Sequence, residues 1–422
     1  MMRRLKELFG RIGPTVIVAA VVLGPGTILT SSKVGASFGF PAWFLLALST
    51  FLMIGMVALA ARLGVTYERS LCEELAARLG RGASLFVGLV LFLVVALFQS
   101  SNNMAIIAGL EPLFEDVGDG TLLTSFGPKL AVLLVINLFV VFCLFRIRSL
   151  YAQIERLMKI LVLVMILAFT CNFIVVLFGS AGSEAGSGGS QESGRDLIPL
   201  LGMIGTTFSI GGAFYQAYLV REKGWKLSDW REGLRDSIIG ICVLGAVTSF
   251  ILLTSVLTFH GRPGPVELKS VGDVARQLEP LFGKSAKVIF SLGIMAGALS
   301  SFLVNAVIGG TILSDSLGKG WRLSDAMPRR LTCLALLIGM LVASMSLAGA
   351  SGTVGLITFA QALTVLGLPM LAGALLYLGT RKDLTGERKV PRWILVSCSL
   401  GFVVACVLAI RTTMIVWGKI AA

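Results

Sequence analysis

Residues 16–40 read VIVAAVVLGPGTILTSSKVGASFGF, an apolar run interrupted at Gly24-Pro25-Gly26. A second run, residues 200–220, reads LLGMIGTTFSIGGAFYQAYLV and is expected to break around Gly211-Gly212. In a helix, glycine costs about 1 kcal/mol relative to alanine and proline about 3. Interrupted apolar segments at corresponding places in two halves of a chain point to a solute site near the middle of a membrane. Lipid cannot satisfy unwound N–H and C=O groups, so such breaks must face protein or water. The two breaks are therefore the expected binding position.

Composition agrees with a membrane setting. The chain has 422 residues, 56% hydrophobic and 14% charged, with mean hydropathy +0.89. A soluble domain carries about 25% charged residues. Apolar runs long enough for a hydrocarbon core of about 30 Å recur throughout. Eleven spans are expected, at about 12–37, 41–63, 83–110, 128–147, 150–179, 199–221, 233–260, 281–315, 328–348, 352–380 and 391–417. With the N-terminus cytoplasmic, 26 of the 36 basic residues fall in inner segments, as the positive-inside rule requires. An odd number of spans then puts the C-terminus outside, and a plasma membrane, the bacterial inner membrane, is the expected location. The net charge of +13 reflects loops facing anionic lipid. No basic stripe with interleaved aromatics suggests nucleic acid, and no protein partner is implied.

The N-terminal run lacks an A-x-A-like cleavage site, so it is kept as a mature helix. Cys143, Cys171, Cys242, Cys333, Cys398 and Cys406 fall in apolar spans and Cys72 in a cytoplasmic loop, none with CxxC spacing. They read as buried filler. His260, the single histidine, sits at the outer end of span seven and cannot form a histidine cluster. No Walker-type loop is present, and no nucleophile with a base suggests an enzyme or a cofactor.

The breaks fall in spans one and six. Five intervening steps imply two five-span halves of opposite topology. The expected organisation is a first repeat at 1–179, an extracellular Gly/Ser-rich loop at 180–198, an inverted second repeat at 199–380 and an additional helix at 381–422. Glu111, Glu115, Asp116 and Asp119 make another outer loop acidic and read as a solvated face.

GPGTILTSSKVGASFGF resembles the first broken helix of Nramp-type metal-ion transporters, whose pattern is close to DPGNFATDIQAGASYGY; Pro25, Gly26, Thr30, Gly35, Ala36, Ser37 and Gly39 match. LGVTYERSLCEELAARLGR resembles the family's amphipathic segment after span two, and GTTFSIGGAFYQAYLV its second broken helix. AGALSSFLVNAVIGGTILSD resembles span eight, and FAQALTVLGLP span ten, including a glutamine at Gln361. The resemblance implies an all-α polytopic membrane protein of the LeuT-like 5+5 type, with helices 1 and 6 broken and an eleventh helix added, working by alternating access.

The departures concern the chemistry. The family's ligand Asp falls at Gly24, its Asn at Thr27, its Met at Ser209 and its His at Gly211. In span three, an Asp and a Glu linked with proton movement fall at Asn103 and Ile106. The frame is kept while the carboxylate and thioether are lost, and with the thioether goes the preference for soft metals. The expected substrate-binding set is Val21, Gly24, Thr27, Lys33, Thr206, Ser209, Gly211, Gly212 and Gln361. A metal would take oxygens of Thr27, Ser209 and Gln361, with the carbonyls of Val21, Gly24 and Thr206. Such neutral ligands suit Mg²⁺, which keeps several waters, and Nramp-related magnesium transporters also lack the usual motifs. Proton coupling is not expected.

A second reading stays open. Half-helix N-termini favour anions, and Lys33, six residues after Thr27, would strengthen a site for bicarbonate, a carboxylate or a polar organic solute. Its plainer role is a rim or snorkelling lysine. A non-transporting sensor on the same scaffold is a third reading. Asn102, Asn103 and Asn305 line the pathway or, more simply, bond between helices; Tyr215 and Gln216 read as packing or gating residues.

Overall fold

A computed structural model describes residues 24–114, 125–146, 167–178, 196–260, 268–347 and 353–421, with positions 123 and 163. The described residues are helical, joined by turns and short connections. In chain order the main helices are α1 (Pro25–Phe38), α2 (Pro41–Thr66), α3 (Leu71–Leu79), α4 (Arg81–Phe114), α5 (Phe126–Arg146) and α6 (Leu167–Phe178). They continue with α7 (Ile198–Thr207), α8 (Ile210–Glu222), α9 (Trp230–Phe259), α10 (Val271–Ala275), α11 (Ala286–Ser316), α12 (Ala326–Leu347), α13 (Thr353–Leu363), α14 (Leu368–Gly379) and α15 (Arg392–Ala421). Each expected span is represented among the described residues, the first and fifth only in part. Eight segments are long and apolar enough to cross a bilayer by themselves.

Local sequence sets the helix ends. Pro25 and Pro41 stand at first-turn positions of α1 and α2, where a missing N–H costs nothing. α3 opens on a capping box: the Glu73 N–H donates to Ser70 Oγ at 3.1 Å, and the Ser70 N–H donates to Glu73 Oε2 at 3.2 Å. α3 is tied to the loop before α15 by Arg78, which reaches Glu74 at 3.1 Å and Asp383 at 2.5 Å. Arg78 holds the Asp383 carboxyl below the usual range. That contribution is present above the ordinary carboxylate pKa and lost on acidification, and exposure keeps it small. Between α1 and α2 the chain turns at Gly39, with φ +68 and the His260 ring packed against it. His260 Nδ1 lies 2.9 Å from the Ala36 carbonyl, so the histidine joins the ends of α1 and α9.

The core is a continuous apolar cluster through α2, α4, α8, α9, α11 and α14. α2 shows why its sequence carries no strong stripe: Met53, Met56, Val57 and Leu59 are all 0% exposed while Phe44 and Phe51 face outward. A helix apolar all round meets protein on one side and lipid on the other. α15 lies at the periphery, with Val403 and Trp417 exposed.

Two expectations need correction. Cys171 and Cys242 face outward rather than serving as buried filler, whereas Cys72, Cys333 and Cys398 are buried. Glu111 does not belong to an outer loop; it lies within α4 and pairs with Lys129 of α5 at 2.8 Å. Glu115, Asp116 and Asp119 lie outside the described residues, as do most of the 180–198 loop and the Cys143 side chain.

Candidate substrate site at the two helix breaks

The second break is shifted from the expected position. α7 ends at Thr207 and α8 begins at Ile210, so the interruption is Phe208-Ser209, and Gly211 and Gly212 are inside α8. Phe208 explains the shift. Its ring is 0% exposed and packs with Met56 of α2 at Gly401 of α15. Holding that anchor, the backbone leaves the α region at Phe208 (φ −90, ψ 55) and Ser209 (φ −78, ψ 82). The Ile210 N–H donates back to the Phe208 carbonyl at 3.0 Å, an inverse γ-turn centred on Ser209. The α7 ladder stops where the Phe208 N–H reaches the Ile204 carbonyl. The carbonyls of Gly205, Thr206 and Thr207 thus lie at a helix C-terminus without ladder partners among the described residues.

α1 begins at Pro25, within the Gly24-Pro25-Gly26 run, and the residues before Gly24 lie outside the described ones. Gly24 (φ −76, ψ 174) precedes α1 and contributes no side-chain cap. Its carbonyl accepts the Thr27 N–H at 3.1 Å. Thr30 Oγ1 donates to the Gly26 carbonyl at 2.7 Å. Val21 lies outside the described residues.

Gln361, near the end of α13, joins the two breaks. Its carboxamide fills the space where a Cβ on Gly26 would stand, and its Nε2 donates to Ser101 Oγ of α4 at 2.7 Å. A Cβ on Gly202 of α7 would meet the Thr30 methyl at 3.0 Å and Gln361 Cβ at 3.5 Å, and one on Gly205 would meet the Gln361 carbonyl at 3.4 Å. Gln361 Oε1 and Thr207 Oγ1 are buried acceptors with no hydrogen-bond partner among the described residues. α13 itself gives way to a 3₁₀ turn at Thr364–Gly367 beside α7, an interruption the sequence reading missed.

The expected residues divide accordingly. Gly24, Thr27, Thr206, Ser209 and Gln361 lie at or beside the breaks. Thr27, Thr206 and Gln361 are at most 2% exposed, so the site is closed. Among the described residues a Cβ on Gly211 would meet nothing within 4 Å, and Gly212 is buried in the first turn of α8. Lys33 does not join this group. It is half-buried farther along α1, in the field of Asp196 at the start of α7.

Around the site runs a chain of neutral amides. Asn103 donates to the Gln99 carbonyl at 2.8 Å and accepts from Asn137 of α5 at 2.7 Å. Asn102 donates to Ser301 of α11 at 3.3 Å, and Asn305 donates to the same hydroxyl at 2.8 Å. Asn102 and Asn103 thus bond between helices, whereas the Asn305 bond lies within α11. Tyr215 stacks on Tyr218, their ring centroids 6.1 Å apart. Hydrogen bonds tie helices together on both sides of the breaks. Toward the Phe38 end, Ser32 bonds to Gln277 at 3.0 Å, and Asn172 donates to the Gln277 carbonyl at 2.6 Å. Toward the Glu222 end, Tyr218 donates to Asp315 at 2.6 Å. Ser101, Asn137, Gln277, Tyr218 and Asp315 were not singled out as site residues; the QSSNN run at 99–103 was the signal available for the first.

A helix start at Gly24-Pro25 and a helix interruption at Phe208-Ser209, bridged by a buried glutamine within a bundle of spanning helices, give the architecture of a membrane transporter. The chain matches the Natural resistance-associated macrophage protein-like (Nramp) family over residues 15–415 and belongs to it. It is 27% identical to the divalent metal cation transporter MntH of Mesorhizobium japonicum, covering 96% of this chain and 88% of that protein. It is 23% identical to MntH 1 of Pseudomonas aeruginosa, over 92% and 88% respectively. Its fold is similar to the Eremococcus coleocola manganese transporter, with a TM-score of 0.71, 20% identity, and 97% and 87% of the two chains covered. It is also similar to Mhp1, a nucleobase-cation-symport-1 family transporter, with a TM-score of 0.59, 12% identity, and 97% and 93% covered. The fold is thus the LeuT-like helical one that the broken spans implied.

Proposed function

We propose that this chain is an alternating-access transporter of a divalent metal cation, selective for a partly hydrated, Mg²⁺-like ion over Mn²⁺ or Fe²⁺, without obligatory proton coupling. The MntH names of its relatives support metal transport. The observation that carries the finer reading is the donor set around Gln361. It consists of hydroxyls, a carboxamide and the α7 carbonyls, with no carboxylate, thioether or imidazole at Gly24, Ser209 or Gly211. A bare divalent ion would lose too much hydration there. Mg²⁺, which dehydrates reluctantly, can keep waters between itself and neutral oxygens. The α7 C-terminus also presents the negative end of a helix dipole to a cation.

We read the N-terminus as cytoplasmic, the C-terminus as external and the two five-helix repeats as inverted. Purified protein in liposomes should take up Mg²⁺ and transport Mn²⁺ and Cd²⁺ poorly; Mn²⁺ uptake of micromolar affinity would defeat the selectivity. Asn103, Ile106 and Gly211 carry no group that titrates near neutral pH. Mg²⁺ uptake should therefore proceed without acidifying the lumen, as read with an enclosed pH dye. Substrate-dependent acidification above leak would show coupling.

The anion reading rests on Lys33. Asp196 offsets its charge, which favours a rim role. Lys33→Ala should leave Mg²⁺ uptake unchanged or raise it modestly, with Lys33→Arg as the packing control. A charge-dependent loss of bicarbonate or carboxylate uptake of about tenfold or more, the scale of one charge-assisted contact, would transfer the assignment to an anion.

A further inference from the structure

Among the described residues, Asp315 is the one acid in the buried class, at 1% exposure. It sits in the last turn of α11, where the helix dipole opposes a negative charge. One carboxylate oxygen, Oδ2, accepts from Tyr218 Oη at 2.6 Å. The other, Oδ1, is buried and has no hydrogen-bond partner. No ion pair reaches Asp315 among the described residues. Arg221, whose field reaches Asp315, is spent on the carbonyls of Tyr67, Glu68 and Arg69. The Cys72 thiol and the Ser70 hydroxyl lie beside the carboxylate, and Glu73 adds a further negative field. Burying a carboxylate with neither counter-charge nor full hydrogen bonding is costly. An ionisable side chain within a membrane span, oriented inward, marks a substrate or ion path.

Tyr218 places Asp315 on that path. It lies on α8, the half-helix that continues from the Ser209 break toward the Glu222 end. In a broken-helix transporter, opening one side moves such a segment relative to the rest. Withdrawal of Tyr218 would free Oδ2 beside the already unpartnered Oδ1.

We propose that Asp315 forms a second, inner cation-binding position, an exit site for a hydrated divalent cation, masked by Tyr218 in the closed arrangement. The inference rests on the transporter reading and adds to it a carboxylate that the central site lacks. The central site then selects with neutral oxygens, and Asp315 receives the ion as the inner side opens. Tyr218 acts as a competing donor, so cation binding and the closed gate are mutually exclusive.

The probe is Mn²⁺ on the purified full-length chain, with bound ion read from loss of the free-ion electron paramagnetic resonance signal and Mg²⁺ as competitor. Asp315→Asn should weaken Mn²⁺ binding on the order of tenfold or more, and Tyr218→Phe should tighten it on a similar scale. Gln361→Ala should leave this binding in place while impairing Mg²⁺ uptake, which separates a failure at Asp315 from a failure of the central reading. If Asp315→Asn does not fold, Tyr218→Phe decides alone, because misfolding does not tighten a site. Unchanged binding in folded Asp315→Asn, or no gain in Tyr218→Phe, overturns the proposal. So does an infrared band of a neutral carboxyl, absent in Asp315→Asn and unaltered by saturating Mn²⁺, because the partner of Oδ1 would then be a proton.

Discussion

Gly24→Asp combined with Ser209→Met is expected to create Mn²⁺ affinity at the central site, where the native chain has little. Gly24 has φ −76 and ψ 174, extended values that an aspartate adopts without strain. The position precedes α1, where aspartate is a preferred cap. Its carboxylate would stand at the first break, facing the carbonyls at the end of α7. Ser209 is 8% exposed at the centre of the second break, so a thioether there would add the soft ligand that favours Mn²⁺ and Cd²⁺. The expected gain is on the order of tenfold or more in Kd, corresponding to about 1.4 kcal/mol or more. The added charge should lower thermal stability without metal, and Mn²⁺ should restore it by mass action. Isothermal calorimetry and a metal-dependent melting shift measure both effects. Unchanged Mn²⁺ affinity in a folded double variant would mean that the neutral ligands are not what sets selectivity. Adding Gly211→His is sterically open, because a Cβ there meets nothing within 4 Å.

Helix position was legible because hydropathy is summed over about twenty residues, and local irregularities average out. Break position was not, because it depends on a single anchor. Gly211-Gly212 has the lower helix propensity, yet it stays helical; the penalty of about 2 kcal/mol for the two glycines is matched by what burying an aromatic side chain contributes, about 1.5–3 kcal/mol. Phe208 holds its pocket against Met56 and Gly401, so the chain unwinds beside it. The start of α1 at Pro25 is legible because proline lacks an N–H and favours the first turn of a helix, a local property.

The candidate site was legible in part for the same reason. Gln361 stood out as a polar residue within an apolar span and as a match to a family position. Its contact with Gly26 and its bond to Ser101 join residues 335 and 260 positions apart in the sequence, and no periodicity carries that. Asp315 is visible in the sequence only as an acid near the end of an apolar span; its burial is tertiary, created by Tyr218 on α8 and by α3 with Cys72. Lys33 was the opposite case. Its position near the break in sequence suggested contact, while a rise of about 1.5 Å per residue puts it about 9 Å beyond Thr27 along α1, within the field of Asp196.

Gly26→Ala is expected to abolish transport through one methyl group. The new Cβ would collide with the Gln361 carboxamide and lie 2.9 Å from its Cγ. Gln361 is 1% exposed and held by Ser101, so the side chain must leave its hydrogen bond to make room. Overpacking of this kind costs about 1–3 kcal/mol, more than the gain of up to about 1 kcal/mol from replacing a helical glycine. The single variant should therefore melt lower than the native chain. In a Gln361→Ala background the collision disappears and only the helical gain remains, so the same methyl should there raise the melting temperature. The two substitutions are thus expected to couple with a change of sign, a pattern that measures their contact directly. Mg²⁺ uptake should fall at least about tenfold in both single variants and in the double variant, because in each the carboxamide is missing or displaced. If Gly26→Ala transports normally and its melting shift is the same in both backgrounds, Gln361 is not the residue that joins the two breaks, and the central site must be sought elsewhere along α1.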